Sequence, residues 1–81
     1  MKQIKDLEEL KELSAKYGLV DCFIRLNGGL RSSKGIEYDK EEDRWYIYNE
    51  VDDTEQTLTP EELNKQTNII EALNKGALWM Y

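Results

Sequence analysis

Eight carboxylates crowd residues 39–55 (Asp39, Glu41, Glu42, Asp43, Glu50, Asp52, Asp53 and Glu55), with only Lys40 and Arg44 among them. This local balance of −6 equals the net charge of the whole 81-residue chain; the 17 acids and 11 bases leave nine of each elsewhere. Carboxylates at such density can hold a hard cation, act as a general acid and base pair, or present a field to a cationic surface. For the first, Asp39, Glu41, Asp43 and Glu50 fall where a twelve-residue calcium loop needs ligands. The position of the obligatory glycine is Arg44, however, and residues 45–48 have strand character where an incoming helix is required. No metal site is expected. The second chemistry needs an apolar surround to raise one carboxyl pKa, and nothing apolar adjoins Asp52, Asp53 and Glu55, so a solvated turn is expected. The third chemistry is the one these residues suit.

The remaining inventory is poor in catalytic groups. Histidine is absent, which removes the side chain that most readily shuttles protons near neutral pH and the commonest transition-metal ligand. Cys22 alternates with Val20 and Ile24 on an apolar face and has no histidine to activate it, so it is expected as a buried structural thiol. A single cysteine also precludes an intrachain disulfide and fits a reducing compartment. Arg25, Arg31 and Lys34 flank Asn27-Gly28-Gly29 and Ser32-Ser33 without an intervening acid, and a glycine turn between cations can hold an anion. Phosphate-loop spacing is missing and no helix follows. A plain hairpin turn, with its cations facing the acidic arm of the same sheet, is the preferred expectation. No enzyme activity, catalytic residue or cofactor is expected.

These side chains must be carried by regular elements. Ile4, Leu7, Leu10, Leu13 and Tyr17 form an apolar stripe that predicts a helix over residues 2–17, closed by Gly18, with Glu8–Lys11 and Glu12–Lys16 spaced as surface ion pairs. From Leu19 the period becomes two, with Val20, Cys22 and Ile24 opposite Asp21, Phe23 and Arg25, which predicts a strand entering the Asn27-Gly28-Gly29 reversal. A weaker strand returns to Tyr38, with Gly35 marking a bulge or a close backbone approach. Arg44-Trp45-Tyr46-Ile47-Tyr48-Asn49-Glu50-Val51 is dense in aromatic and β-branched residues and is placed centrally in the sheet. Asp52-Asp53 makes a turn before a short polar edge strand over residues 54–58. Thr59-Pro60-Glu61-Glu62 is an N-cap with a capping box, opening one helix that runs to Asn74-Lys75-Gly76. The apolar end Ala77-Leu78-Trp79-Met80-Tyr81 must be tied to the core or offered to a partner.

The expected fold is a single α+β domain over residues 1–81: N-terminal helix, three- or four-stranded antiparallel sheet, C-terminal helix, in two layers. Helices on one side cannot cover both faces of the aromatic strand, so either Trp45 and Ile47 or Tyr46 and Tyr48 are left over. Phe23 belongs to the off-core set. No apolar run is long enough to span a bilayer and the start lacks a secretory stretch, so a cytoplasmic protein is expected. Strong acidity argues against direct binding to nucleic acid or an anionic membrane.

The expected function is a non-enzymatic interaction module or inhibitor. Its acidic, aromatic-bearing sheet surface (Glu41, Glu42, Asp43, Tyr46, Tyr48, Glu50, Asp52 and Asp53) would dock on a basic protein partner. In its sharper form the carboxylates imitate nucleic-acid phosphates. In size, acidity and element order the chain resembles small acidic inhibitors of phages and mobile elements. The alternatives are a structural homo-oligomer, such as a homodimer that buries the spare face and the C-terminal tail, and an accessory protein binding a small anion at Arg25, Arg31 and Lys34.

Overall fold

The computed structural model describes residues 1–25 and 32–81, and for Thr67 the backbone alone. The elements run β1 (Lys2–Gln3), α1 (Leu7–Tyr17), β2 (Val20–Ile24), β3 (Ser32–Asp39), β4 (Arg44–Asn49), β5 (Thr54–Leu58), α2 (Pro60–Asn64), α3 (Thr67–Asn74) and β6 (Leu78–Met80). They build one six-stranded sheet in the order β1-β6-β2-β3-β4-β5, with every neighbouring pair antiparallel. No helix among the described residues is long and apolar enough to cross a membrane.

The α+β class stands, and the strand count is higher than expected. The extra strands are the two ends of the chain. Helix α1 begins at Leu7 rather than residue 2 because the Asp6 carboxylate caps it, accepting the Glu9 N–H at 2.8 Å and so satisfying one of the orphan donors of the first turn. Ile4, freed from the helix, is fully buried and its N–H bonds the Leu78 carbonyl at 2.9 Å. At the other end Gly18 closes α1 with φ +78 and donates to Ser14. The Glu8–Lys11 pair forms at 3.6 Å. Lys16, by contrast, sits over the Tyr17 ring at 5.1 Å, and no Glu12–Lys16 pair forms among the described residues.

Thr59 makes the anticipated capping box with Glu62, the hydroxyl accepting the Glu62 N–H at 3.1 Å and the carboxylate accepting the Thr59 N–H at 2.9 Å. The latter bond holds the Glu62 carboxyl below its ordinary pKa. Thr59→Ala should cost about 1 kcal/mol and lower the melting temperature by roughly 4–8 °C in a domain of this size, measured by circular dichroism. The single C-terminal helix expected from the sequence is instead broken at Lys65 and Gln66. Leu63 and Ile69 are both buried, yet six residues apart on an unbroken helix they would point about 120° apart. The break resets the phase so that Ile69 and Ala72 return to the core.

All helices lie on one face of the sheet. Leu10, Leu13, Leu63, Ile69 and Ala72 meet Val20, Cys22, Ile24, Ile36, Trp45, Ile47, Leu58 and Leu78 in one cluster, each large side chain contributing about 1.5–3 kcal/mol of burial. Gly35 keeps regular register between Asp21 and Tyr48, without a bulge. Leu19 lies 3.0–3.1 Å from where a Cβ would stand, so Gly35 marks a close approach, and a larger residue there would push the Leu19 side chain aside by a few tenths of an ångström. The expected reversal at Asn27-Gly28-Gly29 lies outside the described residues, as does Arg31.

A candidate interaction face on the open side of the sheet

Strand β4 decides which aromatics are left over. Trp45 and Ile47, each 1 % exposed, point to the helices, so strand alternation places Tyr46 and Tyr48 on the open face. Register sets Glu37 beside Tyr46 and Gly35 beside Tyr48 on β3, and Thr57 and Glu55 opposite the same tyrosines on β5. The Tyr46 hydroxyl donates to Glu55 Oε2 at 2.7 Å, and the Tyr48 hydroxyl donates to Asp53 Oδ1 at 2.5 Å. A third phenol, Tyr38, donates to Asp43 Oδ1 at 2.6 Å. Tyr38 itself lies on the helix side, against Trp45 and beneath Lys11 Nζ at 4.8 Å.

These bonds raise the pKa of all three phenols, because the hydrogen bond to a carboxylate favours the neutral donor and the negative neighbour opposes ionisation. A phenol fixes the direction of a carboxylate while leaving its charge in place, whereas a lysine would cancel that charge. Among the described residues the ion pairs are Lys2–Glu9, Lys11–Glu8 and Lys75–Glu71, and none uses an acid of residues 39–55. The anionic block is therefore held by neutral donors.

Its shape differs from the sequence expectation of one patch. Glu41, Glu42 and Asp43 belong to the turn between β3 and β4, where Asp39 Oδ1 accepts the N–H groups of Glu41 and Glu42 at 3.0 and 3.2 Å. Glu50, Asp52 and Asp53 belong to the turn between β4 and β5, at the opposite end of β4, a strand roughly 17 Å long at about 3.4 Å per residue. Asp43 and Asp53 each take a left-handed conformation (φ 53 and 54), which aspartate tolerates. Between the two clusters lie Glu37, not singled out from the sequence, and Glu55, counted there in the acidic block but not in the docking surface; both are members of the open face. The signal existed: Glu37 and Glu55 share the parity of Tyr46 once the ladders are drawn. Beside the first cluster Glu37, Tyr38, Asp39, Lys40, Glu41 and Tyr46 line a hollow of about 470 Å³.

The other half of the open face is aromatic. Phe23 is off the helix side, as its alternation required, but at 2 % exposure it is not available as a contact residue. Its ring lies 4.7 Å from that of Tyr81 and it pairs across strands with Trp79. The Tyr81 hydroxyl is 2.8 Å from Ser33 Oγ. Cys22 is fully buried on the helix side with its thiol 3.3 Å from the Val20 carbonyl. Burial, and then the charge of Asp21, push its pKa up to about 12. Dithiobis(nitrobenzoate) should label Cys22 only at the rate of unfolding; immediate labelling of the native protein would contradict the buried position.

Of the cations considered for an anion site, Arg31 lies outside the described residues and the other two face different surroundings. Arg25 is exposed, one residue past β2, and Lys34 is buried on the helix side. Lys34 faces Asn49, not an acid, across the β3–β4 ladder. Among the described residues no cluster of three or more His, Cys, Asp or Glu is placed to hold a metal ion. No family model matches the chain, and neither a curated protein nor a solved structure is significantly similar to it. Fold and face together define an α+β domain with helices on one side of its sheet and an anionic, tyrosine-bearing surface on the other.

Proposed function

We propose that this chain is a non-catalytic protein-interaction module whose open sheet face docks on a basic protein surface. The observation that carries the proposal is the pairing of Tyr46 with Glu55 and of Tyr48 with Asp53. Rigid amphipathic rings and oriented, uncancelled carboxylates sit side by side on a face that no described helix covers. Tyrosine supplies contact area at low entropic cost, and the carboxylates supply steering and register. Acids at both ends of β4 and between them suit an elongated cationic groove, the kind that otherwise receives a nucleic-acid backbone, and the inhibitor reading is the sharper form of this proposal. Charge weighs against the homo-oligomer, since two copies would bring like-charged faces together.

The test is capture from native lysate at low ionic strength with the wild-type chain and with a Glu37→Gln, Asp53→Asn, Glu55→Gln variant in parallel. A basic protein retained by the wild type, released by salt and lost by the variant supports the proposal. Equal retention by both forms, or retention indifferent to salt, overturns it.

A further inference from the structure

The apolar layer between sheet and helices stops short at one end. There Ser32, Asn49, Thr54, Gln56, Gln66 and Asn68 surround Lys34 in a cleft of about 460 Å³, with Asp52 on its wall. The break between α2 and α3 contributes Gln66 and the first turn of α3 Asn68, while Lys34 and Asn49 are partners across the β3–β4 ladder. Lys34 is only 6 % exposed. Its Nζ donates to Asn49 Oδ1 at 2.5 Å, and no carboxylate lies within ion-pair distance of it among the described residues. An ammonium has three donors, and a buried cation with one neutral acceptor is costly to keep. Burial accordingly lowers the Lys34 pKa, opposed by the charge of Asp52. Ser32, Asn49 and Gln66 are half-buried and Thr54, Gln56 and Asn68 form an exposed rim, so carboxamides and hydroxyls rather than apolar side chains stand around the Lys34 cation, where a polar ligand could pair with it.

We propose that this cleft binds a small zwitterionic carboxylate of the free α-amino-acid class, its carboxylate on Lys34 Nζ and its ammonium toward Asp52. A carboxylate supplies acceptors that Lys34 does not find among the described residues. Asp52 makes the cleft close to neutral in sum, which disfavours a phosphate dianion and favours a ligand carrying both signs. The carboxamides of Gln56 and Gln66 offer donors and acceptors to the rest of the ligand. Of the cations considered from the sequence, Lys34 takes part, and Arg25, one residue past β2, is not in the lining. The site lies on the helix side of the sheet and does not depend on docking at the open face, so either can fail alone.

The test is an amide-resolved NMR titration of the 81-residue chain with L-alanine, L-glutamine, propionate and inorganic phosphate, each into the millimolar range. The expected result is saturable shifts from an amino acid, confined to residues 32–34, 49–56 and 66–68, with propionate at least tenfold weaker. Lys34→Met, which replaces a buried ammonium by a thioether of similar length, should keep the melting temperature or raise it while weakening binding at least tenfold. Asn49→Asp places an internal carboxylate on Lys34 and should likewise raise the melting temperature and remove binding, so loss of binding is separated from loss of fold. The absence of saturation by either amino acid, unchanged affinity in Lys34→Met, or saturation by phosphate alone would overturn the site. Propionate binding as tightly as alanine would overturn the role given to Asp52.

Discussion

A chain ending at Ala77 is expected to lose cooperative folding altogether. The four residues removed include β6, which lies between β1 and β2 and hydrogen-bonds to both. Leu78 is fully buried, a burial worth about 1.5–3 kcal/mol by itself. The cut also removes the acceptor of the Ile4 N–H and the ring that packs on Phe23. It separates β1 from the sheet and turns β2 into an edge. A domain of this length has a total stability of roughly 4–12 kcal/mol, and these losses together reach that range. Thermal melting by circular dichroism checks the expectation: a sigmoidal transition in the shortened chain would show that β6 is an accessory strand. The finer substitution Leu78→Ala should cost about 2–5 kcal/mol and leave a measurable, lowered transition.

The second large effect concerns binding and should leave the fold untouched. Glu37, Asp53 and Glu55 lie on the open face or at its end, and none is in an ion pair among the described residues. Replacing all three by their amides keeps side-chain shape and removes three charges. Affinity for the basic partner should fall about tenfold to a hundredfold, or ~1.4–2.8 kcal/mol, at low salt. Most of the loss should be in the association rate, and the dependence on ionic strength should flatten. The melting temperature should be unchanged or slightly raised, because like charges are relieved. Tyr46→Phe and Tyr48→Phe give a graded control: each keeps the ring and the net charge but releases one carboxylate from its donor, so affinity should drop by less. Surface plasmon resonance at two salt concentrations separates these outcomes. An amide variant that binds as the wild type at both would remove the electrostatic basis of the proposal.

How much of this was legible in the sequence follows from which signals are local. The Thr59 cap, the turn at Asp52-Asp53, the edge strand β5 and the alternation in β2 are written within a few residues of each position, and the structure has them. The buried thiol of Cys22 follows from the same alternation. The strands at the two ends were not legible, because Lys2–Gln3 is too short and polar to show a period and Leu78–Met80 is apolar throughout. Their strand character comes from pairing with each other and with β2 over most of the chain length. The helix break at Lys65 is not legible for a similar reason: Leu63, Ile70, Leu73 and Ala77 read as one inward stripe with Ile69 and Ala72 beside it, whereas the break turns Ile69 and Ala72 fully to the core and leaves Ile70 and Leu73 half-buried. On the candidate face, Tyr46 and Tyr48 were one of two open choices, and only the side on which the helices pack decides between them. Glu37 lies outside the acidic block, and Glu55 within it reads as part of a solvated turn, because charge along the chain does not show a face that is assembled across strands. Lys34 was grouped with Arg25 and Arg31 by proximity, although its spacing of two from Ile36 already put it on the helix side.

Pairing of Lys2 with Met80 and of Gln3 with Trp79 brings residue 2 to about 5 Å from residue 80 across the ladder. The polypeptide is thus nearly a closed ring, and a linker of a few glycines would join its ends without disturbing any described strand. New ends could then be opened within residues 40–43, an exposed turn on the far side of β2 and β3. Such a circular permutant would carry tags or surface-attachment groups next to the acidic hollow, whereas fusions at residues 1 and 81 emerge together beside β1 and β6, away from β4 and β5.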